Sequence, residues 1–512
     1  MSFRLREFQA ADLAAIACTD GALLAWEQGL GKGIAQFILP LLKCGWTPTP
    51  RGIQPNSASL LINPAGLIAK SLDDAARHFR THVTRITRAH LDQIRDGTPL
   101  PPGYYITAYT DLPLPYTDQL TWGQVLSTSF TCVVVDEGTR LKDDTTELAS
   151  QVLQLRPQYR FILSGTPIKN RLGDFFWLLW WTAGGHPHPC ARFPYGPKDQ
   201  ERFMADHLVT ERPVRSNGQG SATAQVCNLF RIWKILSPLV LRRRKSDTGE
   251  PIVARRDEVS TIPMGTRQQA AYDAILRETS QHTVGTKRKN IISQLNALRQ
   301  AATLVPDCDL LTPKLFAILQ VLQQLHQRGE QSVIFSSFRE PLKVMARRLK
   351  QARVNYAIVD GASSADKRGE ICAEFAAGGT IQHLLMTYDS GSEGYSFSRC
   401  SHLLLMDRHW ALDKCLQAPA RIHRLNSERP ITVYEFMSDG TIEKRIYDLG
   451  QEKSDSSDLV LDGRLESPVV KEVSAREVLE WAATQRHADT IDEETIEAQW
   501  PTLQNRFLQP PS

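Results

Sequence analysis

The sequence predicts an α/β protein of two lobes, each a parallel sheet with crossover helices, with helical insertions between them. Three observations carry that prediction. Short apolar runs alternate with helical stretches, as parallel strands joined by crossover helices require. They fall at 23–25, 60–63, 105–108, 132–135 and 161–163, and again at 332–336, 356–359, 383–386, 402–406 and 432–436. The runs form two separate series, which points to two similar lobes. Between the series, over about 175–300, the chain changes character.

That middle stretch opens with Phe175-Phe176-Trp177-Leu178-Leu179-Trp180-Trp181, expected as buried packing and not as a base-stacking surface. It crosses a Gly/Ser/Asn-rich loop at 216–222 and reaches Leu241-Arg242-Arg243-Arg244-Lys245, either a solvated hinge or a nucleic-acid contact. Residues 267–305 carry apolar side chains at helical positions, Ala271, Ile275, Ile292, Leu295 and Leu298 among them. The expected division is a first lobe over 1–245, a second over 246–455 and a tail over 456–512. The tail is polar, with one helix expected near 475–483 and turn or linker chemistry at 454–458.

Composition sets the class. At 512 residues the chain exceeds a single compact core, and 42% hydrophobic with 23% charged residues is ordinary for a globular protein. A net charge of +4 confines any nucleic-acid footprint to a local groove. The nine cysteines are scattered with no Cys-x-x-Cys, which argues against a zinc ribbon or a disulfide framework. There is no apolar leader and no run of about 18 apolar residues, so no membrane association is expected. The expectation is a cytoplasmic protein, of a bacterium or a bacteriophage-infected cell. His186, His188 and Cys190 sit in a Pro-rich loop that separates them, so they are not expected to bind metal.

The chemistry begins at residues 23–38. Gly29, Leu30, Gly31 and Lys32 fit a Gly-rich turn whose amides wrap phosphate oxygens while the lysine neutralises them. A strand leads in and a helix starts at the lysine, where terminal amides favour anions. A Gly-rich turn that binds nothing has the same local pattern. The next position normally carries a hydroxyl that ligates Mg²⁺, and here it is Gly33, while Trp26 occupies the place of the first glycine. Loss of one electrostatic donor of this kind costs about 10²-fold in rate.

Residues 131–139 form an apolar strand ending in Asp136 and Glu137. At the carboxyl end of a strand in an open α/β sheet, Asp136 would hold Mg²⁺ and Glu137 would orient or deprotonate an attacking water. Ser164-Gly165-Thr166-Pro167 follows the next strand and by itself reads as a turn. In the second half, Gln417, Arg421, His423 and Arg424 follow a strand ending in Asp407, with the two arginines three apart on one face of a helix or helical turn. Arginines supplied across an interface neutralise charge developing on a γ-phosphate. A solvated basic helix face is the alternative.

Taken in order, these motifs resemble the Swi/Snf-like ATPases of helicase superfamily 2, from about residue 4 to about 463. Leu5-Arg6-Glu7-Phe8-Gln9 is similar to the family's opening Leu-Arg-x-Tyr-Gln, and residues 26–33 stand where the family has Asp-Glu-Met-Gly-Leu-Gly-Lys-Thr. Asp136 to Thr139 replaces Asp-Glu-Ala-His, keeping the two acids. Ser164 to Pro167 with Asn170 and Leu172 is similar to Ser-Gly-Thr-Pro-x-x-Asn-x-Leu, and residues 241–245 to the bridge Leu-Arg-Arg-x-Lys. Gly361, Arg368 and Phe375, then Gly391 to Phe397 with Gly394, then Asp407 to Trp410 and residues 417–424, complete the set.

The resemblance implies two RecA-like lobes with ATP between them, Gln9 reading the adenine and Gly29–Gly33 with Gly394 holding the nucleotide. It implies ATP and Mg²⁺ as cofactors, with Asp136 as the metal ligand. Lys32, Asp136, Glu137, Gln417, Arg421 and Arg424 would act in hydrolysis. It further implies movement along double-stranded DNA through sequence-independent backbone contacts, which are salt-sensitive. Two other functions stay open: a nucleotide-responsive DNA-binding scaffold that hydrolyses ATP feebly because of Gly33, and a strand-separating helicase of the same superfamily.

Overall fold

The computed structural model describes residues 4–50, 52–167, 172–185, 193–211, 223–226, 228–281, 288–306, 308–391, 395–461, 469–471, 475–485 and 489–509. The chain divides into two compact units. The body of the first is Met1–Thr210 with Ala224–Pro251, and that of the second is Ile252–Asp455 with Lys471–Ser512.

The first unit holds a seven-stranded sheet. Its strands are β1 (Gly21–Trp26), β4 (Ala58–Asn63), β5 (Val83–Arg85), β6 (Gly103–Ala108), β7 (Cys132–Asp136), β8 (Tyr159–Leu163) and β9 (Val240–Arg243), and a small hairpin, β2 (Trp46–Thr49) with β3 (Gly52–Pro55), stands apart. The order is β9-β1-β8-β7-β4-β6-β5, and every pairing is parallel. All residues of β1, β4, β6 and β7 are buried, which explains why these strands read as unbroken apolar runs and not as alternations. Helices α1 (Glu7–Ala17), α2 (Lys32–Cys44) and α3 (Ile68–Asp74) belong to this unit. So does α4 (Phe176–Thr182), and Phe175 to Trp181 lie in the unit's core with Phe193, Tyr195 and Phe203, as the aromatic run predicted.

The second unit holds a six-stranded parallel sheet: β10 (Arg255–Ile262), β11 (Ser332–Ser336), β12 (Tyr356–Val359), β13 (His383–Thr387), β14 (His402–Leu405) and β15 (Ile431–Ser438). Their order is β10-β15-β14-β11-β13-β12. Its helices include α5 (Thr266–Gln281), α6 (Arg288–Ala301), α7 (Pro313–Gln327), α8 (Arg339–Gln351), α9 (Leu412–Gln417), α10 (Ile442–Leu461), α11 (Ala475–Thr484) and α12 (Glu493–Phe507). Beneath the sheet, Lys314 of α7 and Glu443 of α10 form an ion pair at 2.7 Å with side chains 0% and 1% exposed. The Ser438 amide donates to Glu443 and Lys314 donates to the Thr303 hydroxyl, so both charges have polar company.

All ten strands expected from apolar runs are present, and the two-sheet α/β class holds. Three local expectations do not. The stretch at 175–300 contains strands as well as helices: β9 adds to the first sheet beside β1, and β10 pairs with β15 in the second. Propensity concealed β9, because only Val240 and Leu241 precede three arginines and a lysine, and its strand geometry comes from the edge that β1 offers. Residues 454–458 continue α10 and form no linker. The tail carries a second helix, α12, whose Ile496, Trp500, Leu503 and Phe507 enter the core of the second unit. Their spacing is that of one helix face, a signal the sequence does contain.

Asn170, His186, His188, Cys190 and Gly394 lie outside the described residues. Among the described residues, no helix is long and apolar enough to cross a membrane.

Candidate active site

The first unit gathers its chemistry where β1 ends and α2 begins. Gly29 and Gly31 take φ of 90° and 91°, a left-handed conformation that side chains disfavour, and α2 starts at Lys32 directly after the second. Gly31 is required twice over, since a Cβ there would come within 2.5 Å of Gln9 Nε2. Gln9 is the clamp on this loop: its Nε2 donates to the Leu30 carbonyl at 2.9 Å, and its Oε1 accepts from the Arg6 amide at 3.0 Å. Gln9 is thereby fixed against the Gly29–Gly33 turn.

Lys32 folds back over the loop, donating from Nζ to the carbonyls of Trp26 at 2.8 Å and Glu27 at 3.3 Å. Burial lowers its pKa from 10.5 to about 8, while the nearby carboxylates of Glu137 and Asp136 pull it upward. The ammonium also abuts the Ser-Gly-Thr-Pro turn, where a Cβ on Gly165 would lie 3.0 Å from Lys32 Nζ. Gly165 therefore allows that turn to lie against the loop, a role its turn chemistry alone did not reveal.

Asp136 ends β7 with 9% of its surface exposed, and its Oδ1 accepts from the Glu137 amide at 2.9 Å. Burial first, and then the Glu137 charge, raise its pKa from 3.8 to about 6, against the pull of Lys32. Glu137 takes φ 52°, a left-handed conformation costing about 1–2 kcal/mol in a residue with a Cβ. Backbone strain of this kind is concentrated at functional sites. Gly138 follows because a Cβ there would strike Ile162 Cγ2 at 2.1 Å. The Tyr109 hydroxyl donates to the Asp136 carbonyl at 2.8 Å and pins the end of the strand.

Gly33 is different in kind. It sits in the first turn of α2, and among the described residues beyond its own helix a Cβ added there would meet only Asp74 Oδ2 within 4 Å, at 3.8 Å. A hydroxyl side chain would fit, so packing does not dictate the glycine.

Several residues supporting this loop were not apparent from sequence. Trp26, wholly buried in the place of the family's aspartate, donates from its indole to Asp12 Oδ2 at 2.9 Å. Asp12 also takes two hydrogen bonds from Arg243 of β9. Glu27 accepts from the Lys245 amide at 2.8 Å and pairs with its ammonium at 3.4 Å, and Arg242 donates to the Ala25 carbonyl at 3.1 Å. Arg242, Arg243 and Lys245 are thus tied to the strand and loop that carry Lys32, as a freely solvated hinge would not be.

In the second unit, Gln417 is the last residue of α9, and Arg421 closes a short 3₁₀ turn at Pro419–Arg421. Arg424 lies beyond that turn, so the two arginines do not share a regular helix face. They converge in another way: Arg421 Nη1 and Arg424 Nη2 both donate to the Tyr395 carbonyl, at 3.4 and 3.1 Å. His423 Nε2 lies 3.1 Å from the Val253 carbonyl. Asp407 accepts from Ser336 Oγ and the Ser337 amide, and Arg299 stands 3.6 Å from it, so this acid is a structural anchor under the strand ends.

Among the described residues, no group of three or more metal-ligating side chains gathers. Mg²⁺ seldom uses an all-protein cage and is usually held by one or two carboxylates with substrate phosphates. Asp136 at a strand end and the open space beside Gly33 fit that mode of binding.

Comparisons with known proteins show the family. The profile of the SNF2-related domain matches residues 13–310, and that of the helicase conserved C-terminal domain matches 314–426. The chain is similar to the DNA repair and recombination protein RAD26 of Saccharomyces cerevisiae, 23% identical over 401 residues, covering 74% of this chain and 35% of the relative. It is also similar to the DNA excision repair protein CSB of Oryza sativa subsp. japonica, 25% identical over 364 residues, covering 67% of this chain and 29% of the relative. The chain therefore spans about a third of the length of these relatives. A solved Sulfolobus solfataricus SWI2/SNF2 ATPase core in complex with dsDNA aligns over 93% of this chain and 98% of its own, at 19% identity and a TM-score of 0.37. With profiles matched in order over most of its length, the chain belongs to the SNF2-related family of helicase superfamily 2 ATPases.

Proposed function

We propose that this chain is an ATP-driven motor on double-stranded DNA. The observation that carries the reading is the meeting of Lys32, Asp136 and Glu137 at the head of α2, with Gln9 clamped on the same loop. Lys32 would leave the carbonyls of Trp26 and Glu27 for phosphate oxygens, and the amides that open α2 would face the same anion. Asp136 would hold Mg²⁺, which when bound neutralises charge on the β- and γ-phosphates. Glu137, held in its unusual backbone conformation, would orient the attacking water.

Arg421 and Arg424 would complete the site from the second lobe. Two guanidinium groups gathered on one neutral carbonyl form a concentrated positive pair, matched to a phosphoryl group that gains charge in the transition state. ATP binding would draw the lobes together and hydrolysis would release them, moving the protein along the DNA backbone. Duplex DNA as the track is supported by the relatives, which include DNA repair and chromodomain-helicase-DNA-binding proteins. Contacts to phosphates would make binding insensitive to sequence and weaker in salt.

The test is steady-state ATP hydrolysis by the purified chain with duplex DNA, single strands and RNA, at two salt concentrations. Duplex-stimulated turnover that disappears in Lys32→Ala is the expected result. Hydrolysis that no nucleic acid stimulates, or that survives Lys32→Ala, would falsify the reading.

Gly33 favours one second reading, a nucleotide-responsive DNA-binding scaffold with feeble hydrolysis. Under it, Gly33→Thr produces a large gain in turnover. Under the motor reading, the change is small because another group already serves that side of the metal.

A further inference from the structure

We propose that Asp74 replaces the hydroxyl missing at Gly33, supplying the oxygen donor on that side of the nucleotide-bound Mg²⁺. The inference rests on the reading of Gly29–Gly33 as the phosphate loop and concerns which residue completes the metal site.

Three observations converge on it. The backbone at Gly33 is ordinary for the first turn of a helix, and the space beside it is open, so the hydroxyl was not lost to crowding. Among the described residues, and apart from its chain neighbours and its own helix's backbone, the atom within 4 Å of where a Cβ would stand is Asp74 Oδ2, at 3.8 Å. That is about the reach of a Ser or Thr hydroxyl and one further bond, so a carboxylate borders the position from which the family's hydroxyl acts. That oxygen already has a cationic neighbour. Lys70 Nζ lies 3.9 Å from Asp74 Oδ2, the oxygen that borders Gly33.

The donor chemistry agrees. Mg²⁺ prefers hard oxygen and is commonly bound through one or two carboxylates plus phosphates, which Asp136 and Asp74 provide with no hydroxyl at all. Asp74 is held in place by ending α3, with His78 Nε2 at 4.0 Å on its other oxygen. Gln36 fixes the receiving side, donating to the Gly33 carbonyl at 3.0 Å and accepting from Asn63 at 3.1 Å. Asp74 is a direct ligand under this proposal, so metal affinity depends on its charge.

The experiment titrates Mn²⁺ into the full chain with ADP and reads free metal by electron paramagnetic resonance, beside a fluorescence titration of ADP in EDTA. Asp74→Ala is expected to weaken Mn²⁺ by about 10–100-fold, the range seen when groups supporting a metal site are removed. Metal-free ADP affinity should stay within about twofold, a difference too small to reflect a lost charge contact. Gly33→Ser in the Asp74→Ala chain should restore most of the Mn²⁺ affinity, which a merely structural role for Asp74 would not allow. Unchanged Mn²⁺ affinity in Asp74→Ala overturns the proposal, as does an equal loss of metal-free ADP binding or a failure of Gly33→Ser to rescue. If the unaltered chain binds no ADP, the phosphate-loop reading itself falls. If it binds ADP and Mn²⁺ but ignores Asp74→Ala, that reading stands and only this inference is lost.

Discussion

Arg421 and Arg424 share one acceptor: both guanidinium groups donate to the main-chain carbonyl of Tyr395, at 3.4 and 3.1 Å. Like charges are brought side by side by a neutral oxygen. Arg424 is further steadied by donation from its Nε to the Ala420 carbonyl at 3.2 Å.

If the pair acts on the γ-phosphate, Arg421→Lys and Arg424→Lys should each lower kcat by about 10³-fold or more, the scale of an arginine supplied in phosphoryl transfer. KM for ATP should change far less, because the interaction is made mainly in the transition state. Lysine keeps the charge but lacks the planar fork, so retention of more than about a tenth of wild-type kcat would count against the assignment.

Lys32 sets function against stability. Its pKa is about 8 in the fold and 10.5 in a free chain, so the unfolded state binds more protons between those values. The buried charge is therefore fully destabilising below pH 8, and the penalty fades as pH rises toward 10.5. Lys32→Met should melt a few degrees higher than wild type at pH 7 while losing ATP hydrolysis. The gap between the two melting curves should narrow steadily from pH 8 to pH 10, and a gap independent of pH would contradict this account.

Asp136 titrates in the opposite direction. Burial and Glu137 hold its pKa at about 6, so above that value the carboxylate is charged and able to bind metal. ATP hydrolysis should fall as pH drops through 6, and more Mg²⁺ should move the acid limb to lower pH because metal competes with the proton. Profiles of kcat/KM at two Mg²⁺ concentrations test this. A limb that ignores Mg²⁺ belongs to another group.

The Lys314–Glu443 pair, 0% and 1% exposed, should behave as a buried ion pair does when broken. Glu443→Ala leaves an uncompensated ammonium beside the Thr303 hydroxyl and should cost about 3–5 kcal/mol by denaturant unfolding. Lys314→Met combined with Glu443→Leu should recover most of that loss. A double variant no more stable than Glu443→Ala would show that the pair also specifies the local packing.

Much of the site was legible because its parts are local. The glycines at 29 and 31 announce left-handed turns, and Asp136 and Glu137 announce the carboxyl end of a buried strand, within a few residues each. The supporting contacts were not legible, because their partners are distant in the chain. Asp12 meets Arg243 across 231 positions, and Glu27 meets the Lys245 amide across 218. Gly165 shows its purpose only when Lys32 lies against it.

By itself, the sequence determined the strands of both sheets, the order of the motifs and the place where β1 gives way to a Gly-rich turn. These follow from apolar runs and turn chemistry, which act between near neighbours. Only the tertiary structure decided that Val240–Arg243 becomes a strand, that Trp26 is buried against Asp12, and that Glu493–Phe507 docks into the second core. It also decided that the vacancy at Gly33 faces Asp74. Each depends on burying surface or pairing charge between segments that meet only once the chain has folded.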